Sequence, residues 1–307
     1  MAYVDSHTEG EPTRVIHAGT PSLGESSPRE RIERLAREHP RLRSMIVDEP
    51  RGHAALVAAL LLPPRDPSAD HQVLFFNNVG ALPMCVHASI GVARTLVHLG
   101  LRPASPWSTP LWLETPAGRV GVRLGAGGVI AVENVPAYRA HADLAITTSF
   151  GRLAVDVAWG GNWFAILESP LPIEAERGPA LVELCRAIRA APELVGITPD
   201  GAAIDHVQLV GPAQRPDTDA INFVLCPGDA WDRSPCGTGT SARMACLHAE
   251  GRLAPGQLWR QGSFTGSRFV GRIAIDEHER VIPTIEGRAW ITGEGRLLLE
   301  PGDPLTP

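Results

Sequence analysis

Two cysteines of this 307-residue chain stand where packing gives little reason for a thiol. Cys236 lies in WDRSPCGTGTSARMA (Trp231–Ala245), between a proline and a run of glycines and threonines, where a strand-like pattern gives way to a helix-like one. Cys85 lies in MCVHASIGVARTLVHLG (Met84–Gly100). Laid over PCGTGTSARMACLHAEG (Pro235–Gly251), that segment matches at three points: cysteine second, leucine at Leu96 and Leu247, and glycine at Gly100 and Gly251. Each segment reads as strand, small-residue turn bearing the cysteine, helix and C-terminal glycine. The expectation is an internal duplication, with one cysteine at a helix N-terminus in each half.

A helix N-terminus leaves backbone N–H groups unpaired and carries about half a positive charge, which favours a nearby anion and lowers a thiol's pKa. Small residues after the cysteine let a ligand approach the backbone closely. Two such turns facing each other would hold one carboxylate between two helix ends, with a thiol on either side of its α-carbon. That arrangement suits racemisation or epimerisation of an amino acid without a cofactor: one thiolate takes the α-proton and the opposite thiol returns a proton to the other face. Backbone N–H groups aimed at the carboxylate are the available stabilisers of the charge that develops there. His87, two residues after Cys85, and Asp232, four before Cys236, could each contact the substrate nitrogen; the alternatives are a capping histidine and an ordinary turn aspartate.

The bulk composition narrows the choice. Charged residues make up 20% of the chain and the net charge is −6, so nothing favours nucleic acid or an anionic membrane, and a small-molecule substrate is the expected partner. All 28 basic residues are arginine; with no lysine there is neither a Schiff-base residue for pyridoxal phosphate nor a Walker loop. The five cysteines are widely spaced with no C-x-x-C pair, which argues against a disulfide framework and a structural zinc site. Cys185, inside an amphipathic helical pattern, and Cys226, at the end of an apolar run, read as buried core cysteines. No cofactor and no metal are expected. Without a basic-apolar leader or an apolar run of about 20 residues, a cytoplasmic location is expected, and any assembly is expected to be a homodimer.

Positioning elements are visible along the chain. Residues 2–17 read as two β-prone pieces around a polar turn at Glu9–Pro12, and SPRERIERLAREH (Ser27–His39) as a helix with a Ser-Pro start. Strand signals follow at RSMIVDEP, HAALVAALLLPP, HQVLFFNN, PLWLETPAG, RVGVRLG and GVIAVENVP. In the second half LAITTSFGRLAVDVAWGGNWFAILE reads as two strand runs, RGPALVELCRAIRAA as an amphipathic helix, and HVQLVGP and INFVLCPG as strands.

These residues resemble the proline racemase superfamily, and within it the bacterial 4-hydroxyproline 2-epimerases. MCVHASIG (Met84–Gly91) corresponds to the first signature of that family, and DRSPCGTGTSA (Asp232–Ala242) matches the second without change. DSHTEGEPTRV, EPRGH, ETPAG, GGNWFAI and NFVLCPG extend the likeness along nearly the whole chain. The resemblance implies an α/β fold like diaminopimelate epimerase: two similar halves, each a curled β-sheet around a central helix, with the active site in the cleft between them. The expected domains are residues 1–120 with a returning segment 288–307, and residues 121–287. Catalytic roles are implied for Cys85 and Cys236, ring-nitrogen binding for His87 and Asp232, and a carboxylate cradle of amides around Val86, His87, Gly237 and Thr238. The implied reaction inverts the α-carbon of 4-hydroxyproline, from the trans-L to the cis-D form.

Val86 and Ala88 depart from the common signature, which has glycine at both places. Their amides can still serve the cradle provided neither position needs a positive φ. Proline racemase is the alternative activity. A trans-3-hydroxyproline dehydratase would usually carry threonine at the second cysteine position, and a ligand-binding relative without catalysis would have no use for two activated thiols.

Overall fold

The computed structural model describes residues 1–300, 302 and 303, so residues 301 and 304–307 of the expected returning segment lie outside the described residues. The chain forms two compact units, Met1–Val132 with the segment that returns from Gly287, and Glu133–Glu286.

In the first unit β1 (Ala2–Thr8) and β2 (Glu11–Ala18) form an antiparallel hairpin. Glu9 and Gly10 both adopt positive φ, the geometry a two-residue turn needs to match strand twist. Helix α1 (Pro28–Glu38) starts at a complete capping box between Ser27 and Glu30, with Pro28 in its first turn. Arg43–Pro50, expected as a strand, is corrected by α2 (Leu42–Val47). Its apolar residues Leu42, Met45 and Ile46 recur at helical spacing and are buried, a pattern that a short apolar run does not reveal by periodicity.

The sheet continues with β3 (Val57–Leu62), β4 (His71–Phe76) and β5 (Ala81–Leu82), then helix α3 (Val86–His98), β6 (Leu111–Thr115), β7 (Gly118–Leu124) and β8 (Ile130–Glu133). Along β1-β2-β3-β4-β6-β7 the pairings run antiparallel, parallel, antiparallel, parallel, antiparallel.

The second unit repeats the recipe. Its elements are β9 (Tyr138–Thr148), β10 (Gly151–Trp159), β11 (Trp163–Glu168), α4 (Gly178–Arg189), β12 (His206–Pro212), β13 (Ala220–Leu225), α5 (Gly237–Ala249), β14 (Trp259–Ser263), β15 (Arg268–Ile275) and β16 (Val281–Gly287). Along β10 to β15 the same alternation recurs, with a helix on each parallel crossover. The final strand β17 (Ala289–Arg296) returns to the first unit and pairs antiparallel with β1.

One helix in each unit lies inside the curl of its own sheet. Helix α3 packs on β1, β2, β3, β7 and β17, and α5 on β9, β10, β11 and β15. Every residue of α5 from Gly237 to Leu247 is buried, and most of them are small: glycine, alanine, serine or threonine. The other face of the second sheet is covered by α4 through Leu181, Leu184, Cys185 and Ile188, side chains worth roughly 1.5–3 kcal/mol each when fully buried. Cys185 is thus core, as expected, while Cys226 follows the end of β13 and is half-buried. No helix among the described residues is long and apolar enough to cross a membrane.

Candidate functional site

The two cysteine segments fold alike in detail. Cys85 is the N-cap of α3 and Cys236 the N-cap of α5, and both helices have 13 residues. Each ends on a left-handed glycine, Gly100 at φ 71° and Gly251 at φ 70°. The amides after these glycines, of Leu101 and Arg252, reach back to the carbonyls of Leu96 and Leu247, the matched leucines of the sequence. The spacing of cysteine, leucine and glycine is therefore the spacing of an N-cap, a buried last turn and a Schellman C-cap.

In the first unit the Cys85 thiol is 6% exposed and lies 3.3 Å from His87 Nδ1, so an imidazole nitrogen stands ready to exchange a proton with it. Neighbouring motifs hold this turn. Thr8 Oγ1 donates to the His87 carbonyl at 2.8 Å, Ser89 Oγ donates to the Cys85 carbonyl at 2.8 Å, and the Ala117 amide of the ETPAG turn donates to the Pro83 carbonyl. Neither Val86 nor Ala88 has a positive φ. Both are ordinary helical residues, so side chains there leave the first-turn amides in place.

Cys236 sits in a different backbone geometry, with φ 56° and ψ 102°. A non-glycine residue in this region carries strain of order 1–3 kcal/mol, which the surrounding structure must impose. The imposing contacts are specific. Asn222 Nδ2 and Thr240 Oγ1 both donate to the Pro235 carbonyl, the Cys236 amide donates to Ser234 Oγ, and the Asp232 amide donates to the Val224 carbonyl. Asp232 is 4% exposed and its Oδ1 accepts from both the amide and the hydroxyl of Ser234 at 2.8 Å.

The surroundings of the Cys236 sulfur are polar on one side. Thr238 Oγ1 lies 3.7 Å away and itself accepts from Asn162 Nδ2, which leaves the threonine proton free to point at sulfur. The Gly239 amide donates to the sulfur and the Asp232 carboxylate accepts from the thiol. Burial, and next the negative charge of Asp232, push this thiol well above its ordinary pKa, outweighing the Gly239 amide. Cys236 rests as the neutral thiol.

The structure thus brings Cys85, Val86 and His87 together at one helix N-terminus, and Asp232, Cys236, Gly237 and Thr238 at another. Sequence reading passed over Thr8, Asn162 and Asn222, although each lies inside a quoted motif. It also passed over Asn134, whose Nδ2 donates to the Gly160 carbonyl and Ser241 Oγ.

Burial also pushes up Cys185 and Cys246, so three thiols stay protonated in the folded chain. The unfolded chain ionises its cysteines above a pKa of about 8.5. Above that pH the folded state binds more protons, so stability is intact at lower pH and falls as pH rises toward the folded-state values, by ~1.4 kcal/mol per pH unit per thiol. Urea unfolding from pH 7 to about 10 is expected to show this decline, with a shallower slope for Cys185→Ala; a flat profile contradicts it.

Known proteins share this architecture. A curated relative from Xanthomonas campestris pv. campestris, named 4-hydroxyproline 2-epimerase, is 47% identical over 305 residues, 98% of this chain and 96% of that protein. The crystal structure of a probable proline racemase from Agrobacterium radiobacter with bound carbonate aligns at TM-score 0.90 and 28% identity, covering 99% of this chain and 94% of that one. The crystal structure of a hydroxyproline epimerase from Agrobacterium vitis with bound trans-4-hydroxy-L-proline aligns at TM-score 0.86 and 29% identity, covering 96% and 91%. The fold is accordingly the two-domain epimerase fold, in which each sheet curls around a helix. The chain belongs to the proline racemase family, whose sequence profile matches residues 3–307.

Proposed function

We propose that this protein is a 4-hydroxyproline 2-epimerase that interconverts trans-4-hydroxy-L-proline and cis-4-hydroxy-D-proline, with Cys85 and Cys236 as its two acid–base groups. The observation that carries the reading is the repeated N-cap: each unit presents one buried cysteine at the head of an equivalent helix, where first-turn amides can receive a carboxylate. The name of the Xanthomonas relative and the hydroxyproline bound to the Agrobacterium vitis enzyme support the substrate.

In this reading the first-turn amides around Val86, His87, Gly237 and Thr238 hold the carboxylate, and His87 and Asp232 bind the ring nitrogen. Cys85, 3.3 Å from the His87 imidazole, acts first as the thiolate, and Cys236 starts as the acid. The Cα–H bond breaks toward one sulfur, negative charge passes into the carboxylate, and a new Cα–H bond forms from the other thiol on the opposite face. The enzyme leaves the turnover with the two sulfurs' protonation states exchanged, ready for the reverse direction.

In D₂O, trans-4-hydroxy-L-proline is expected to gain deuterium at its α-carbon and invert there, with no added cofactor. Iodoacetamide is expected to label Cys85 faster than Cys236 at neutral pH, and pyrrole-2-carboxylate, planar like the transition state, to protect both. Faster turnover of L-proline than of the hydroxylated substrate would replace the epimerase reading by proline racemase. Loss of water from trans-3-hydroxy-L-proline would replace it by dehydratase.

A further inference from the structure

Gln208 is the most isolated polar side chain of the second unit. It lies in the middle of β12, has no exposed surface, and neither atom of its amide has a hydrogen-bond partner. Its cross-strand neighbours are Ile166 on β11 and Val224 on β13, both members of the apolar cluster that includes Cys236 and packs beneath α5. Val207 and Leu209, on either side of it in sequence, point to the other face, toward the α4 cluster. The strand pleat thus drives one amide into the layer that carries the thiol. Leaving such an amide without partners is a cost that an apolar side chain of the same length would avoid.

The amide end has a definite target. A Cβ added to Gly239 would stand 2.2 Å from Gln208 Oε1 and 3.2 Å from Cys236 Sγ. The missing side chain of Gly239 therefore leaves one small space bordered by both the amide oxygen and the thiol sulfur. Ala88, at the corresponding place in the first segment, keeps its methyl group. Among the groups around the sulfur, the Asp232 carboxylate accepts a hydrogen bond, the Gly239 amide donates one, and the Thr238 hydroxyl, already accepting from Asn162, is left to donate. A carboxamide does both: its oxygen accepts from S–H, its nitrogen donates to S⁻, and the terminal torsion that exchanges them is soft.

We propose that Gln208 is a positioning residue for Cys236, its buried amide turning to hydrogen-bond the sulfur as thiol and as thiolate, with Gly239 kept free of a side chain to admit it. The proposal rests on the reading of Cys236 as an acid–base group, but its effect on the thiol is measurable without turnover. Gln208→Met keeps the length and removes both polar atoms. The pH profile of Cys236 alkylation by iodoacetamide, read by peptide mass spectrometry with Cys85 as internal reference, is expected to move up by about one pH unit, and kcat for α-proton exchange to fall about tenfold with KM little changed.

The melting temperature of Gln208→Met is expected to hold or rise, since an unpartnered amide has been removed. An unmoved Cys236 profile overturns the proposal. So does a variant that melts lower or fails to fold, because the amide would then serve stability. A shifted profile in an enzyme whose wild type exchanges neither hydroxyproline nor proline would leave the Gln208–Cys236 link standing and refute the catalytic reading instead.

Discussion

Replacing Cys236 by serine is expected to lower kcat/KM for inversion of trans-4-hydroxy-L-proline by roughly 10²- to 10⁴-fold, the range over which a positioned general acid or base acts. The same loss is expected for Cys85→Ser. A serine hydroxyl keeps the size and the hydrogen bond but is far too weak an acid to stand as the conjugate base at neutral pH. KM is expected to change little, because the proposed cradle is built from backbone amides that the substitution leaves in place. The two variants should also differ in kind from an unfolded protein. With one thiol intact, solvent deuterium is expected to enter the α-carbon of the enantiomer facing that thiol, while the configuration is retained. Chiral chromatography with mass detection separates the two events. Full inversion in both directions by either single variant would sink the two-thiol mechanism.

The asymmetry between the two thiols has a structural origin. Cys85 has extended backbone and a histidine nitrogen at 3.3 Å. Cys236 has a strained left-handed backbone and a carboxylate that accepts from it. Burial and the neighbouring carboxylate keep the Cys236 thiol protonated, and the proposed reaction gives the thiolate role to Cys85, the thiol with an imidazole beside it. A two-base reaction needs one of each.

Much of this was legible from residue types. A small-residue run between a strand and a helical pattern, closed by glycine, marks both N-caps and both C-caps, because those features arise within one stretch of chain. The same holds for the Ser27 capping box and the turn at Glu9. Short apolar runs were less legible: Leu42–Val47 folds as a helix where the β-prone composition suggested a strand. The run from Leu144 to Glu168 reads as two strands, yet with its upstream residues it forms β9, β10 and β11, the Gly160–Asn162 turn separating the last two. Strands β14 to β17 alternate polar and apolar residues too irregularly to have stood out. The side chains that hold the helix ends were illegible for another reason. Thr8 reaches His87 across 79 positions, Asn162 reaches Thr238 across 76, and Asn134 reaches Ser241 across 107. Only the folded sheet brings them together.

Gly160→Ala is the substitution outside the cysteines from which the largest loss is expected. Gly160 opens the GGNWFAI segment, and a Cβ there would stand 2.2 Å from the Thr238 carbonyl oxygen and 2.6 Å from the Ala242 amide. Both atoms belong to the backbone of α5, so no side chain can swing aside to make room. Gly160 also has no positive φ, so the demand is for space and not for an unusual conformation. Asn134 pins the same residue through its carbonyl and Asn162 bonds Thr238 from the same turn, so hydrogen bonds tie the loop to the first turns of α5. An alanine must then push the helix N-terminus, with Cys236 and Thr238 on it, away from the loop. Overpacking of this kind costs roughly 1–3 kcal/mol. A shift approaching 1 Å at a reacting group costs about 10²-fold in rate. The expected result is a folded enzyme of lowered melting temperature whose inversion kcat falls about a hundredfold and whose Cys236 alkylation changes, while Cys85 labels as before. Gly80→Ala is the matched control, since a Cβ there meets nothing within 4 Å, and it is expected to leave both stability and rate unchanged. If Gly160→Ala turned over at the wild-type rate, the close approach of this loop would not be what fixes the Cys236 turn.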